Sequence, residues 1–243
     1  MRKFWNFTEG DGGEGVLRLE GEIASESWWG DEVTPKMFLS ELAAFAGKNI
    51  TVWINSPGGD VVAGSQIYTA LKEHNGTITV KVDGLAASAA SVVAMAGDFV
   101  YMSPPALMMI HDPATIAWGT TEDMQQAIDV LNECKEAIIN AYVLKTGLSR
   151  AKIARLMSDE TWMNAKKAVE LGFADKVLYT DASPDNAVVD SFLFGRRTVF
   201  NSLLAKLPKV EQTPEDDTPA LEPPPTDDGS DEITAYKNQF EII

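Results

Sequence analysis

The stretch from Asn49 to Val82 constrains the fold more than any other part of the chain. Asn49–Asn55 (NITVWIN) alternates Ile50, Val52 and Ile54 with their neighbours, the period of two that marks a strand. It meets the turn Ser56-Pro57-Gly58-Gly59 and then Val61–Lys72, where Val62, Ile67, Tyr68 and Leu71 share one helical face. The β-branched run Thr77–Val82 alternates again. Strand, helix and strand in so short a space predict α/β architecture with crossover connections. The flanks continue the pattern: a strand over Val16–Glu22, a helix over Pro35–Ala46, an apolar small-residue helix over Ser88–Ala96, and strands over Phe99–Met102 and Leu107–His111. Thr121–Lys145 is long and amphipathic, with Met124, Ile128, Leu131, Ile138 and Tyr142 at multiples of three or four. Shorter helices over 149–157 and 165–171 precede a strand at Phe173–Leu178. No internal repeat is visible.

The 243 residues suffice for a sizeable core. With 36 acidic and 20 basic side chains, the net charge of −16 argues against nucleic acid as a partner, since that needs clustered Lys and Arg. One cysteine, Cys134, excludes an intramolecular disulfide, and two histidines, His74 and His111, exclude a His-rich zinc centre. No apolar run reaches the roughly 18 residues of a membrane span, and the start turns polar too quickly for a signal peptide, so a soluble, cytoplasmic protein is expected. Residues 201–243 hold ten acids, three lysines and six of the twelve prolines. Such a segment cannot bury enough apolar surface to offset the entropy of ordering it. The chain therefore divides into a folded domain over 1–200 and an acidic, Pro-rich, largely disordered tail over 201–243. Within the tail, 208–232 reads as linker, and the apolar residues of ITAYKNQFEII suit a docking segment.

Three features could carry chemistry. Asn55-Ser56-Pro57-Gly58-Gly59-Asp60 joins a buried-type strand to a helix, so its main-chain N–H groups and the helix start suit an oxyanion; a ligand-free tight turn is the plainer reading. It is no P-loop, for no Gly-Lys-Ser/Thr follows. Gly84-Leu85-Ala86-Ala87-Ser88-Ala89-Ala90-Ser91 sets a serine among small residues at a helix mouth, with the Ala89 N–H beside it. An N-cap serine on a core helix has the same appearance. His111 ends the apolar run Leu107-Met108-Met109-Ile110, where an imidazole can serve as a base or as a structural strand end. His74, in the polar stretch Lys72-Glu73-His74-Asn75-Gly76, reads as a solvent-facing helix end.

In combination the motifs NSPGG, GLAAS, MIHDP, a long helix, TGLS and ETWMNAKKAVELGFAD resemble the proteolytic subunit of the Clp protease, and more closely its prophage branch, which includes phage head-maturation proteases. The resemblance runs from about Val16 to Val177. It implies the Clp protease/crotonase-like superhelix of repeated β-β-α units, with Thr121–Lys145 as the projecting handle helix that packs against another ring. It implies Ser88 as nucleophile, His111 as general base, and the Gly59 and Ala89 N–H groups as oxyanion hole. The family's acid, an aspartate two residues before an aromatic, falls on Glu160 before Trp162; Asp159 is the alternative and Asp112 a third choice. Glutamate can orient an imidazole as aspartate does.

These assignments imply a serine endopeptidase that needs no cofactor and no metal, acts on protein or peptide, and assembles as a homo-oligomeric ring or stacked rings through helix 121–145. In the prophage branch the substrate would be scaffold, capsid or portal protein, and the site of action an assembling phage head. The short N-terminal part shows little of the axial-loop pattern that engages an ATPase, which argues against an unfoldase partner. Two other readings keep the fold: a catalytically silent scaffold component, and a crotonase-like acyl-CoA enzyme, against which the Ser88 and His111 pair counts.

Overall fold

The computed structural model describes residues 3–24 and 35–180, with side chains of the first helix described from Met37 onward. The tail, its linker at 208–232, its apolar terminal segment and the domain boundary at 200 lie outside the described residues. In chain order the elements are β1 (Trp5–Glu9), β2 (Gly15–Glu20), α1 (Pro35–Ala43), β3 (Ile50–Ser56), α2 (Val61–Lys72), β4 (Ile78–Ala87), α3 (Ala89–Ala94) and β5 (Phe99–Met102). They continue with β6 (Leu107–Ile110), α4 (Thr121–Thr146), α5 (Arg150–Ser158), β7 (Thr161–Asn164), α6 (Ala165–Glu170) and β8 (Lys176–Val177). This is the α/β class read from the sequence. Strands β1 and β7 were not expected, and the strand expected over Phe173–Leu178 shrinks to the two residues of β8.

The main path of the sheet runs β1-β2-β3-β4-β5-β8, antiparallel between β1 and β2 and parallel thereafter. β4 is long enough to serve two partners. Its first half, Thr79–Val82, pairs with β5, and its last residues, Leu85–Ala87, pair with β6. β6 in turn pairs with β7, antiparallel. This fork lets β4 outrun β5, so that the residue after Ala87 emerges beside the end of β6. The alternation seen in the sequence becomes one buried side: Val52, Ile54, Val80, Val82, Val100, Met102, Met108 and Ile110 have no exposed surface. Each such side chain contributes about 1.5–3 kcal/mol on burial.

Helix starts are fixed by side chains that satisfy free N–H groups. Asp60 accepts from the N–H groups of Val62 (2.7 Å) and Ala63 (2.9 Å) at α2, and Thr120 with Asp123 forms a capping box at α4. Ser149 and Asn164 do the same for α5 and α6. Each cap is worth about 1 kcal/mol. All six residues of α3 are buried; their small side chains let that helix sit against α2, α4 and the sheet. α4 changes character along its length. Between 121 and 137 only Ala127 is buried, whereas Ile138, Ile139, Ala141 and Tyr142 enter the core. Ile128, Val130 and Leu144 are left exposed. Among the described residues no helix is long and apolar enough to cross a membrane.

Candidate active site

Ser88 follows directly on β4 with φ 52° and ψ −127°. A non-glycine residue held at positive φ stores about 1–3 kcal/mol and persists only where its surroundings over-determine it. Here they do. Its N–H donates to the Met109 carbonyl at 3.0 Å, and its own carbonyl accepts from the Ser91 N–H at 2.9 Å and the Ser91 hydroxyl at 2.6 Å. Ser88 occupies the N-cap position of α3, yet its side chain caps nothing. The Oγ lies instead 2.8 Å from Nε2 of His111.

The Pro57-Gly58-Gly59 turn packs against this peptide. Gly58 (φ +95°) comes so close that a Cβ there would stand 2.7 Å from the Ser88 Cβ and 2.9 Å from the Ala89 nitrogen. Gly59 (φ +138°) could carry no Cβ either, because it would collide with the Ile23 carbonyl. The segment at Ile23 explains that contact: the Ile23 N–H donates to Gly58 O and the Asp60 N–H to Ile23 O, both at 2.8 Å. Buried Ser56 adds a further tie, its Oγ accepting from the Gly58 N–H at 3.1 Å. Neither the Gly59 N–H nor the Ala89 N–H has an acceptor among the described residues. Two free donors therefore belong to the backbone that flanks the Ser88 side chain.

His111 is delivered by β6, whose buried Met108 and Ile110 fix the strand. The antiparallel register pairs Ile110 with Thr161, so one further step sets position 160 opposite His111. Glu160 stands there with φ 48° on the turn that leaves α5; its Oε1 accepts a long 3.4 Å bond from the Trp162 indole. Asp159 faces away: it is 65% exposed and lies 3.7 Å from Arg155. Asp112 is engaged elsewhere, its Oδ2 bound at 2.9 Å by both Lys135 and Ser158. Lys135 also donates to Ser158 at 3.0 Å, so this triangle ties the segment after His111 to α4 and α5.

A small pocket opens on Ser88 and His111, lined by Val61, Val92, Pro113, Ile138 and Tyr142. A hydroxyl bonded to an imidazole, beside free N–H groups and an apolar wall, is suited to attack on a carbonyl with stabilisation of the resulting oxyanion. The sequence reading missed two buried groups behind the serine, Ser91 and Tyr142, whose hydroxyls are 2.8 Å apart. In the sequence Ser91 closes the Gly84–Ser91 motif and Tyr142 belongs to the amphipathic face of α4. Nothing in either pattern says that the two meet.

The family model described as Clp protease matches residues 14–181. The chain is 36% identical over 154 residues to the ATP-dependent Clp protease proteolytic subunit 1 of Chlamydia muridarum, which is 61% of this chain and 79% of that protein. It is 32% identical over 159 residues to the subunit of the same name from Protochlamydia amoebophila, covering 64% and 77%. With the ATP-dependent Clp protease proteolytic subunit of Bacteroides fragilis it shares 34% over 134 residues, covering 54% and 65%.

Proposed function

The chain belongs to the Clp protease family, and from that premise we propose a serine endopeptidase with Ser88 as nucleophile and His111 as base. The observation that carries the proposal is the 2.8 Å contact between Ser88 Oγ and His111 Nε2, two side chains from separate elements at the positions of the family's motifs. In the reaction His111 takes the Ser88 proton as Oγ attacks the scissile carbonyl. The Gly59 and Ala89 N–H groups bind the oxyanion, and His111 then protonates the leaving amine. Water, deprotonated by the same imidazole, releases the acyl group from Ser88. Glu160 is our choice for the acid that orients His111. The register across β6 and β7 supports it, as does the engagement of Asp112 with Lys135 and the turn of Asp159 toward Arg155.

The test is labelling by a fluorophosphonate together with cleavage of a small peptide. Wild type should react and Ser88→Ala should do neither. Labelling of Ser88→Ala at the full rate would refute the assignment, and an inert wild type would favour a silent scaffold or an acyl-CoA enzyme on the same fold.

We further propose that the protein assembles as a ring or stacked rings. The exposed Ile128 on α4 supports this, because Met124 and Leu131, about a turn to either side of it on the same face, are only partly buried, and an apolar strip on one helix face calls for a cover. Charged residues at Ile128 and Leu131 should then break the particle into smaller units in sedimentation. Processing of phage head proteins is the finer role we assign, supported by the acidic, Pro-rich 201–243 segment, which suits a tether. Truncation after Leu207 should spare peptide cleavage and reduce processing of a co-expressed scaffold or portal protein; unchanged processing would count against the tether.

A further inference from the structure

Ser91 and Tyr142 are buried, and both lead to the nucleophile by its main chain. Ser91 Oγ stands 2.6 Å from the Ser88 carbonyl oxygen and 2.8 Å from the Tyr142 hydroxyl. Proton counting fixes the direction of the relay. A carbonyl oxygen only accepts, so Ser91 commits its one hydroxyl proton to Ser88 O. The proton between the two hydroxyls therefore comes from Tyr142. Tyr142 is 1% exposed, and burial pushes its pKa well up, opposed by the smaller effect of the Ser91 bond, so the phenol stays a donor through the working range.

The consequence reaches the other edge of the same peptide. The Ser88 carbonyl and the Ala89 N–H belong to one planar trans unit and point in opposite directions. Donors that hold the oxygen on the buried side thereby aim the N–H to the open side, where it has no acceptor among the described residues. Hydrogen bonds accepted at the oxygen also polarise the unit and strengthen its N–H as a donor. Ser88, at φ 52° and ψ −127°, is where such a hold is needed, because an unrestrained residue would leave that conformation.

We infer that Tyr142, acting through Ser91, is a positioning residue that sets the Ser88–Ala89 peptide so that the Ala89 N–H faces the developing oxyanion. The inference rests on the serine-peptidase reading above and adds to it a second layer, supplied by α4. It also connects the long helix to the reaction centre through one hydroxyl.

Tyr142→Phe removes a single oxygen and leaves the ring to pack edge-on against Phe173, at 5.4 Å between centroids. With a fluorogenic peptide its kcat should fall about tenfold, a fraction of the loss on deleting an oxyanion donor outright. KM should stay within about twofold, as expected when only the transition state is affected. Binding of a peptide aldehyde, which forms a tetrahedral adduct on the serine, should weaken in step with kcat, while binding of the product peptide should not. Ser91→Ala should show the same split, and Ser91→Ala/Tyr142→Phe should be no worse than Ser91→Ala, since the phenol acts only through Ser91. Equal weakening of aldehyde and product peptide, or additive losses in the double variant, would reduce the pair to core packing and overturn the inference. So would a Tyr142→Phe enzyme with wild-type kcat, while the peptidase reading stood. A wild type inert to both peptide and fluorophosphonate would overturn both together.

Discussion

The parallel strands end in two chemically different ways. At their N-terminal ends side chains close the backbone. His74 Nε2 bonds the Lys48 carbonyl at 2.7 Å, Asn49 Oδ1 accepts from the Thr77 N–H at 3.0 Å, and Asp98 and Asp175 accept from the N–H groups of Ile78 and Val100 at 2.8 and 2.6 Å. At the C-terminal ends the serine that could cap α3 turns to His111 instead, and the Gly59 and Ala89 donors have no acceptor among the described residues. The two histidines sharpen the contrast, for both bond through Nε2. Facing a carbonyl, His74 must spend its Nε2 proton and is fixed as a donor. Facing a hydroxyl, His111 can accept one. Residue type does not decide the role; the partner does. Closed ends stabilise the sheet, and the open end keeps its polar groups for a ligand.

The largest effect is expected at the acid. If Glu160 orients His111, Glu160→Gln should lower kcat by about a thousandfold with little change in melting temperature, because an amide supports the wrong tautomer. Asp159→Asn, at a solvent-facing carboxylate, should stay within about threefold of wild type. The reverse ranking would move the role to Asp159. Next in size comes Gly59→Ala, whose methyl would meet the Ile23 carbonyl at a φ that only glycine tolerates. Displacing one oxyanion donor should cost about a hundredfold in kcat/KM. Activity within a few fold of wild type would show that the Gly59 N–H takes no part. At the closed end, His74→Ala should behave oppositely. Loss of one partly exposed hydrogen bond costs about 1 kcal/mol of stability, read as a melting temperature lower by a few degrees, with kcat unchanged. A His74→Ala enzyme with impaired kcat would mean that the two ends are not independent.

Much of this organisation was legible in the sequence, and the parts that were not share a cause. Helix α2 occupies the expected Val61–Lys72, and β5 the expected Phe99–Met102, because there local periodicity and tertiary packing agree. β7 is four residues, Thr161–Asn164, with no alternation to read; it is a strand because β6 lies beside it. β8 exists only as the partner of β5. The end of β4 was hidden similarly: Gly84-Leu85-Ala86-Ala87 looks like a turn into a helix, but pairing with β6 keeps it extended as far as Ala87. The motifs named Ser88 and His111 as candidates, while their 2.8 Å contact depends on the fork of the sheet, which no local window contains. Ser91 and Tyr142 were silent for the same reason, being 51 residues apart.

The smallest effect lies at the closed end, in its exposed ion pair. Lys48 offers its carbonyl to His74 and its ammonium to Glu9, with Nζ 2.7 Å from the Glu9 carboxylate. The hydrogen bond from Lys48, and then its charge, hold the Glu9 carboxyl below its ordinary value of 4.5. A carboxyl depressed by folding stabilises the native state above its unfolded pKa, and that contribution fades as the pH falls through the lowered native value. Glu9→Gln should therefore melt slightly below wild type near neutrality, and the two curves should converge as the pH falls below the lowered native value. Because the pair is open to solvent, the neutral-pH gap should also close in about 1 M salt, where screening acts over roughly 3 Å. Peptide cleavage should be indifferent to the change, as for His74→Ala. A gap that persists in acid, or that resists salt, would mean that Glu9 contributes by packing rather than by charge.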